Sequence, residues 1–330
     1  MNRILITGGC GFLGSNLARR LLAKGHKVAL FDMRTDLKNI ENIQDGLNLV
    51  IQGDLAVASD VDSAFRATKL SLGGLDTVFH LGSQVSHIVS QQDPYRDLKT
   101  NCIGTVNVLE AVRTLCPEAH VIYACSRSVY GKQDVLPIKE SAPTNPVDNY
   151  GITKLTAEKY CLLYHYHYGT KATSLRMANL FGPYQVLTPV YQFIAYVFFC
   201  VMSERPFTFY GDGTQTRDFL YVGDACQAYI DAMEMPEKSV GEIFNLGGLD
   251  YCSWNKAIEI AEEVTGKKAK VEYIEHTPLR AKLENPHSKL DYGKILIALD
   301  WQPRTSLREG FGKMLPFYGE HERWKRYLAD

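Results

Sequence analysis

Several things are scarce in this sequence of 330 residues, and each absence narrows what the chain can do. No sign of charge is in excess: 36 basic residues stand against 37 acidic ones, a formal net charge of −1. No global field therefore draws nucleic acid or an anionic membrane, and any phosphate must be held by a few placed groups. Long apolar runs are missing too. The strongest, Val190 to Met202, falls short of the roughly 20 residues a spanning helix needs and carries Gln192, so it reads as a core or pocket helix. The eight cysteines form no Cys-x-x-Cys pair and several fall inside apparent strands or helices. With no secretory leader before the first strand, reduced thiols, a cytoplasmic setting and no metal site are expected. Repeats and low-complexity tracts are also absent. What is left, at 45% hydrophobic residues, is a chain able to bury a full core in two closely joined lobes.

The richest stretch is Thr7-Gly8-Gly9-Cys10-Gly11-Phe12-Leu13-Gly14. The apolar run Ile4-Leu5-Ile6 before it reads as a buried strand, and Leu13, Leu17, Leu21 and Leu22 after it recur at helical spacing. The glycines therefore sit at a strand-to-helix turn. Glycine has no Cβ, so backbone N–H groups can approach an anion there, and the helix start adds unpaired donors and the positive end of its dipole. A pyrophosphate fits such a turn. The next strand, Lys27 to Phe31, ends at Asp32, where a carboxylate would bind the ribose hydroxyls of NAD and repel the 2′-phosphate of NADP.

Further along, strand-like runs at Leu47 to Gln52, Thr77 to Leu81, Val121 to Ala124 and Ala172 to Met177 alternate with amphipathic segments. This alternation predicts an α/β fold, a doubly wound parallel sheet of Rossmann type with helices on both faces. After Gly182-Pro183 the pattern changes to shorter mixed pieces, which predict a smaller α/β lobe for the substrate. The division expected is a dinucleotide-binding domain over 1–179 and a substrate lobe over 180–330, some segments of which return to the first domain. In an open α/β sheet the ligand crevice lies at the carboxyl ends of the strands, so the second lobe is expected to close over the glycine turn.

Tyr150 and Lys154 open a helical run through Leu155, Glu158 and Leu162, one turn apart and on one face. A phenol has an ordinary pKa of about 10. A neighbouring ammonium and a positive nicotinamide ring favour phenolate, which makes Tyr150 a base able to take a proton from a sugar hydroxyl. Such a pair alone is commonplace; downstream of a dinucleotide turn it gains meaning. Ser126, just after the strand Val121 to Ala124, stands where its hydroxyl can reach the same oxygen.

These residues carry a resemblance. The chain is similar to the extended short-chain dehydrogenase/reductases, in particular the nucleotide-sugar epimerase and dehydratase group. The match includes the Gly8 to Gly14 loop, Gly53-Asp54-Leu55, His80-Leu81-Gly82, Asn101-x-x-Gly104-Thr105, Ser126 to Gly131, Tyr150 to Lys154, Asn179 to Pro183, Gly211 to Asp218 and Trp301-x-Pro303. The resemblance implies that Gly8, Gly11, Phe12, Leu13 and Asp32 bind NAD, with Asp54 and Leu55 near its adenine and Lys154 on the nicotinamide ribose. Ser126, Tyr150 and Lys154 become the catalytic set. Asn179 falls on the diphosphate of a nucleotide sugar, Tyr210 beside the base, and Arg217 and Arg280 on phosphate or ribose, a role that suits the planar fork of arginine. Helices over Asp97 to Leu115 and Lys154 to Tyr168 are expected to pair across a homodimer.

The resemblance also implies a cycle: NAD⁺ takes a hydride from the sugar as Tyr150 takes the proton, and the 4-keto sugar turns over and receives the hydride on its other face. Dehydratases of this group carry an acid and a base where Arg127 and Ser128 stand here, and decarboxylases carry Glu at the second position. Epimerisation is therefore expected, with a UDP-sugar as the partner. The opening Ile6 to Ala18 and the later Gln84-Val85 also look like CDP-sugar 2-epimerases, whereas Asn179 to Pro183 favours the UDP-sugar 4-epimerases. A 4-keto-sugar reductase, a 4,6-dehydratase and an NAD-binding module without turnover stand behind these. The same resemblance places Ser288, or its neighbour His287, near the sugar's C2 substituent, where a small Ser288 would admit an N-acetyl group.

Overall fold

The computed structural model describes residues 1–34, 37–189, 193–283, 285–319 and 325–328. Six strands come first: β1 (Arg3–Thr7), β2 (Lys27–Asp32), β3 (Leu49–Gln52), β4 (Thr77–His80), β5 (His120–Ser126) and β6 (Ala172–Met177). After them follow β7 (Asn179–Phe181), β8 (Pro206–Tyr210), β9 (Thr216–Tyr221), β10 (Ile243–Leu246), β11 (Asp250–Ser253), β12 (Lys270–Ile274) and β13 (His287–Ser288).

The first six and β10 form a seven-stranded sheet in the order β10-β6-β5-β4-β1-β2-β3. Every pairing in it is parallel. Ile4, Leu5 and Ile6 are wholly buried, as a parallel strand covered on both faces requires, which is why they read as an unbroken apolar run. The chain leaves β1 towards β2 on one side and reaches β4 on the other, so the order reverses beside β1. That reversal opens a crevice at the carboxyl ends of the strands, directly above the glycine turn.

The second lobe is built on β9, which pairs with β11 antiparallel and with β7 and β13 parallel. A further parallel pair, β8 and β12, lies apart. Its aromatic core includes Phe198 stacked on Phe311 at 4.6 Å and Phe219 edge-on to Trp254 at 5.4 Å. The strongly apolar stretch forms the helix Phe193–Met202, buried over most of its length. Among the described residues no helix is long and apolar enough to cross a membrane. Between Val222 and Leu246 the chain goes back to the large sheet: helix Val222–Glu234 packs on helix Phe12–Ala23, and β10 becomes the edge strand against β6.

Candidate active site

A cleft of about 590 Å³ runs over the carboxyl ends of the large sheet and under the second lobe. At one end is the glycine turn. Gly8 adopts φ +68°, and a Cβ there would meet the Gly82 backbone at 2.7 Å; at Gly14 it would meet the Gly8 carbonyl oxygen at 2.3 Å. The helix that follows begins at Phe12 with Gly11 as its cap, and no side chain among the described residues satisfies its first N–H groups. They are left for a ligand. Asp32 ends β2 at the same rim, accepting from the backbone N–H of Cys10 at 3.0 Å and of Arg34 at 3.1 Å. Burial pushes its carboxyl upward, opposed by those backbone bonds. Asp54 and Leu55 line the cleft beside it.

At the other end stand Ser126, Tyr150 and Lys154. Ser126 closes β5 and caps a single tight turn, Arg127–Tyr130, accepting from the Ser128 N–H at 3.2 Å. Tyr150 and Lys154 project from the first turns of helix Asn149–Tyr168, whose cap is Asp148. Lys154 is 3% exposed, reaches the Ser83 hydroxyl at 3.3 Å and sits 4.5 Å above the Tyr123 ring. Burial lowers its ammonium to about 8. The Tyr150 phenol moves the opposite way from the sequence expectation: burial pushes it well above its ordinary value, and a hydrogen bond with Ser126 only partly opposes this. A closed cleft penalises either group when charged, which drives the phenol up and the ammonium down.

The lysine is held by a chain of side chains that the sequence reading did not single out. The Ser83 hydroxyl donates to Asn101 Oδ1 at 2.9 Å, Asn101 Nδ2 donates to Thr153 Oγ1 at 3.0 Å, and Thr153 donates to Asp97 Oδ2 at 2.8 Å. Asn101 lies in a π-helical stretch, Leu98–Ile103, a wide turn that carries its side chain inward between two packed helices. The motif Asn101-x-x-Gly104-Thr105 was the available signal.

Gly8, Gly11, Phe12, Leu13, Asp32, Asp54, Leu55, Ser126, Tyr150, Lys154 and Asn179 are thus brought into one cleft. Asn179 opens β7 and accepts from Arg127 Nε at 2.7 Å. Tyr210, Arg217 and Ser288 are not among its lining residues. Tyr210 ends β8 with its ring inclined 30° to that of His276, centroids 6.4 Å apart. Arg217 donates to the carbonyls of Thr216 at 2.9 Å and Pro286 at 3.3 Å. Ser288, opposite Arg217 in β13, is 1% exposed, and its hydroxyl has no partner among the described residues. Arg280 falls in the helix Pro278–Leu283, but its side chain lies outside the described residues. The apolar wall facing the catalytic end comes instead from Val186, Phe193, Ile194 and Trp254. Among the described residues no group of three or more His, Cys, Asp or Glu could hold a metal ion.

The pattern of the NAD dependent epimerase/dehydratase family matches residues 4–247. The chain belongs to that family. This epimerase/dehydratase is 31% identical to UDP-glucose 4-epimerase of Mycolicibacterium smegmatis over 319 residues, 96% of this chain and 98% of the relative. It superposes on the UDP-glucose 4-epimerase of Thermus thermophilus in complex with NAD with a TM-score of 0.86, at 29% identity over 97% of this chain and 99% of that one. The Thermotoga maritima UDP-glucose 4-epimerase with UDP-glucose gives 0.86 at 30% identity, covering 96% and 98%. Its cofactor is NAD. The glycine cradle, which any Cβ at Gly8 or Gly14 would fill, and the unsatisfied N–H groups of helix Phe12–Ala23 fit the pyrophosphate of that cofactor.

Proposed function

We propose that this enzyme inverts C4 of a UDP-hexose or UDP-N-acetylhexosamine by way of a transient 4-keto sugar. The observation that carries the reading is the convergence of Ser126, Tyr150 and Lys154 in the cleft that also holds Gly8, Gly11 and Asp32. Similarity to UDP-glucose 4-epimerases over nearly the whole chain supports it.

In this reading Gly8, Gly11, Phe12 and Leu13 hold NAD, Asp32 takes its ribose hydroxyls, and Asp54 and Leu55 border the adenine. When bound, NAD⁺ supplies the hydride acceptor, its reduced form the donor, and its charge favours phenolate at Tyr150. Tyr150 takes the proton of the sugar hydroxyl and gives it back, while Ser126 donates to the same oxygen and steadies it. Lys154 is fixed through Ser83 and Asn101, so its ammonium keeps one position as the sugar turns over. Asn179, steered by Arg127, is assigned to the diphosphate. Tyr210, Arg217, Arg280 and Ser288 keep their assignment to the nucleotide and sugar as part of the same proposal.

Elimination fits less well. Asp32 and Asp54 are the carboxylates among the described lining residues, both at the adenosine end, and Arg127 and Ser128 occupy the positions beside Ser126.

The exposed side of helix Asn149–Tyr168 bears Ile152, Leu163 and Tyr166, with Ile103 close by at the start of helix Gly104–Leu115. We assign this apolar face to a homodimer.

The deciding experiment incubates purified protein with UDP-, CDP-, GDP- and dTDP-hexoses, with no cofactor added. Appearance of C4 epimers of a UDP-sugar is expected. Product NMR locating the inversion at C2 of a CDP-sugar would replace this reading with a 2-epimerase, and unchanged sugars would retire it. Tyr150→Phe should keep bound NAD and lose about 10²- to 10⁴-fold in turnover.

A further inference from the structure

Next to Tyr150 lie a hydrogen-bonded histidine and aspartate to which the mechanism above gives no task. His87 starts the short helix His87–Gln92, and its Nδ1 is bonded to Asp148 Oδ2. Asp148 is 7% exposed and already occupied through its other oxygen, which accepts the Gly151 N–H at 2.7 Å and so caps the helix that carries Tyr150. The imidazole stands edge-on to the Tyr150 ring, centroids 4.8 Å apart at 69°, and lines the cleft. Its Nε2 has no partner among the described residues.

We propose that His87 is a positioning residue for Tyr150: as an imidazolium it cancels the negative charge of the buried Asp148 beside the phenol, and so allows Tyr150 to work as a phenolate. The inference rests on Tyr150 being the base.

The charges around the phenol make the need plain. From its own helix face Asp148, the cap, and Lys154; from the short helix Pro94–Asp97 comes Asp97; from β5 come Cys125 and the Ser126 hydroxyl. Asp148 and Asp97 both work against ionisation of Tyr150, on top of burial, whereas burial keeps the Cys125 thiol protonated. Asp148 must stay ionised to hold its cap and its partner. Burial opposes this, but the His87 hydrogen bond and charge, the Gly151 N–H and the Arg127 guanidinium together hold its carboxyl below the ordinary range. A permanent buried negative charge thus sits two residues before the group that has to become negative. His87 touches both, so it can cancel one charge at the moment the other develops. It does so without a covalent step or any net proton transfer.

The test is the pH dependence of kcat for isomerisation in four proteins: wild type, His87→Gln, His87→Gln/Asp148→Asn and Tyr150→Phe. Asn caps a helix about as well as Asp, so the double variant removes the carboxylate charge and keeps the helix start. Expected for His87→Gln is an acid limb moved to higher pH by about one unit, a tenfold loss of rate below it, with KM little changed. The double variant should bring the limb back, because the uncompensated charge has gone with its partner. A merely structural His87 would lower activity evenly across pH and show no recovery in the double variant. Superimposable profiles for wild type and His87→Gln, or a displaced limb that the second substitution fails to restore, overturn the proposal. Should His87→Gln not fold, the double variant against wild type still decides: a limb displaced in it overturns the proposal, and an undisplaced limb with kcat retained supports charge cancellation. Full turnover in Tyr150→Phe removes both this inference and the base assignment, whereas an inactive Tyr150→Phe with an unmoved His87→Gln profile removes this inference alone.

Discussion

Lys154 shows at the scale of one residue what the site costs the fold. Its ammonium is brought down from 10.5 to about 8 by burial, so between those values the unfolded chain binds more protons than the native one. Stability should therefore rise with pH across that window, and the full penalty applies below it. Lys154→Met is expected to be inactive yet more stable, by an amount on the order of 3 kcal/mol below pH 8 that fades as pH climbs towards 10.5. Urea unfolding of the two proteins at a series of pH values measures this difference directly. A gain that does not fade with pH would assign it to packing. The placement of Tyr150 and Lys154 in one cleft is legible in the sequence because one helical turn ties them together, and that of Ser126 because it follows an apolar strand. Ser83, Asp97 and His87 are not, since each meets its partner only when distant segments are brought to one crevice. Nor does the sequence reveal that burial would drive the phenol upward, because neighbours in space and not in sequence set that balance.

At the scale of the element, the glycine turn and the helix behind it behave as one object. A methyl group at Gly14 would lie 2.3 Å from the Gly8 carbonyl oxygen and 2.8 Å from the Gly9 Cα, both backbone atoms that cannot swing aside. Gly14→Ala should cost about 1–3 kcal/mol in urea unfolding and weaken NAD binding at least about tenfold in a calorimetric titration. Gly312, exposed in helix Leu307–Gly319 with open space around it, is the matched control. There alanine should stabilise by about 0.5–1 kcal/mol through helix propensity. The strand, turn and helix at the start were legible because three signals coincide within a short stretch. The sequence pattern over Asp97 to Leu115 predicts ordinary helix, yet Leu98–Ile103 forms a π turn. Nothing in local propensity marks such a turn, which packing around Asn101 selects.

At the scale of the molecule, two faces of helix Asn149–Tyr168 have different fates. Tyr150, Lys154 and Ala157 are buried against the sheet, while Ile152 and Leu163 remain 48% and 43% exposed. Ile152→Glu/Leu163→Glu is expected to give a monomer by light scattering where the parent gives a dimer, with the fold retained by circular dichroism. An unchanged mass would place any dimer contact elsewhere. The parallel sheet was legible from alternating strand and helix patterns. The strands of the second lobe were legible only in part, because β7, β11 and β13 are short and pair across long separations in the chain.

The return of the chain to the large sheet also governs how the gene can be cut. A fragment ending at residue 179 would carry every residue of the glycine turn and the catalytic helix, and so look self-sufficient. It would lack β10, leaving the outer side of β6 as an open row of amide and carbonyl groups, and helix Phe12–Ala23 would lose the helix that shields it. Such a piece should self-associate on expression. A fragment in which 222–246 is joined directly to the first half, so that β10 covers β6 again, is the form expected to stay in solution.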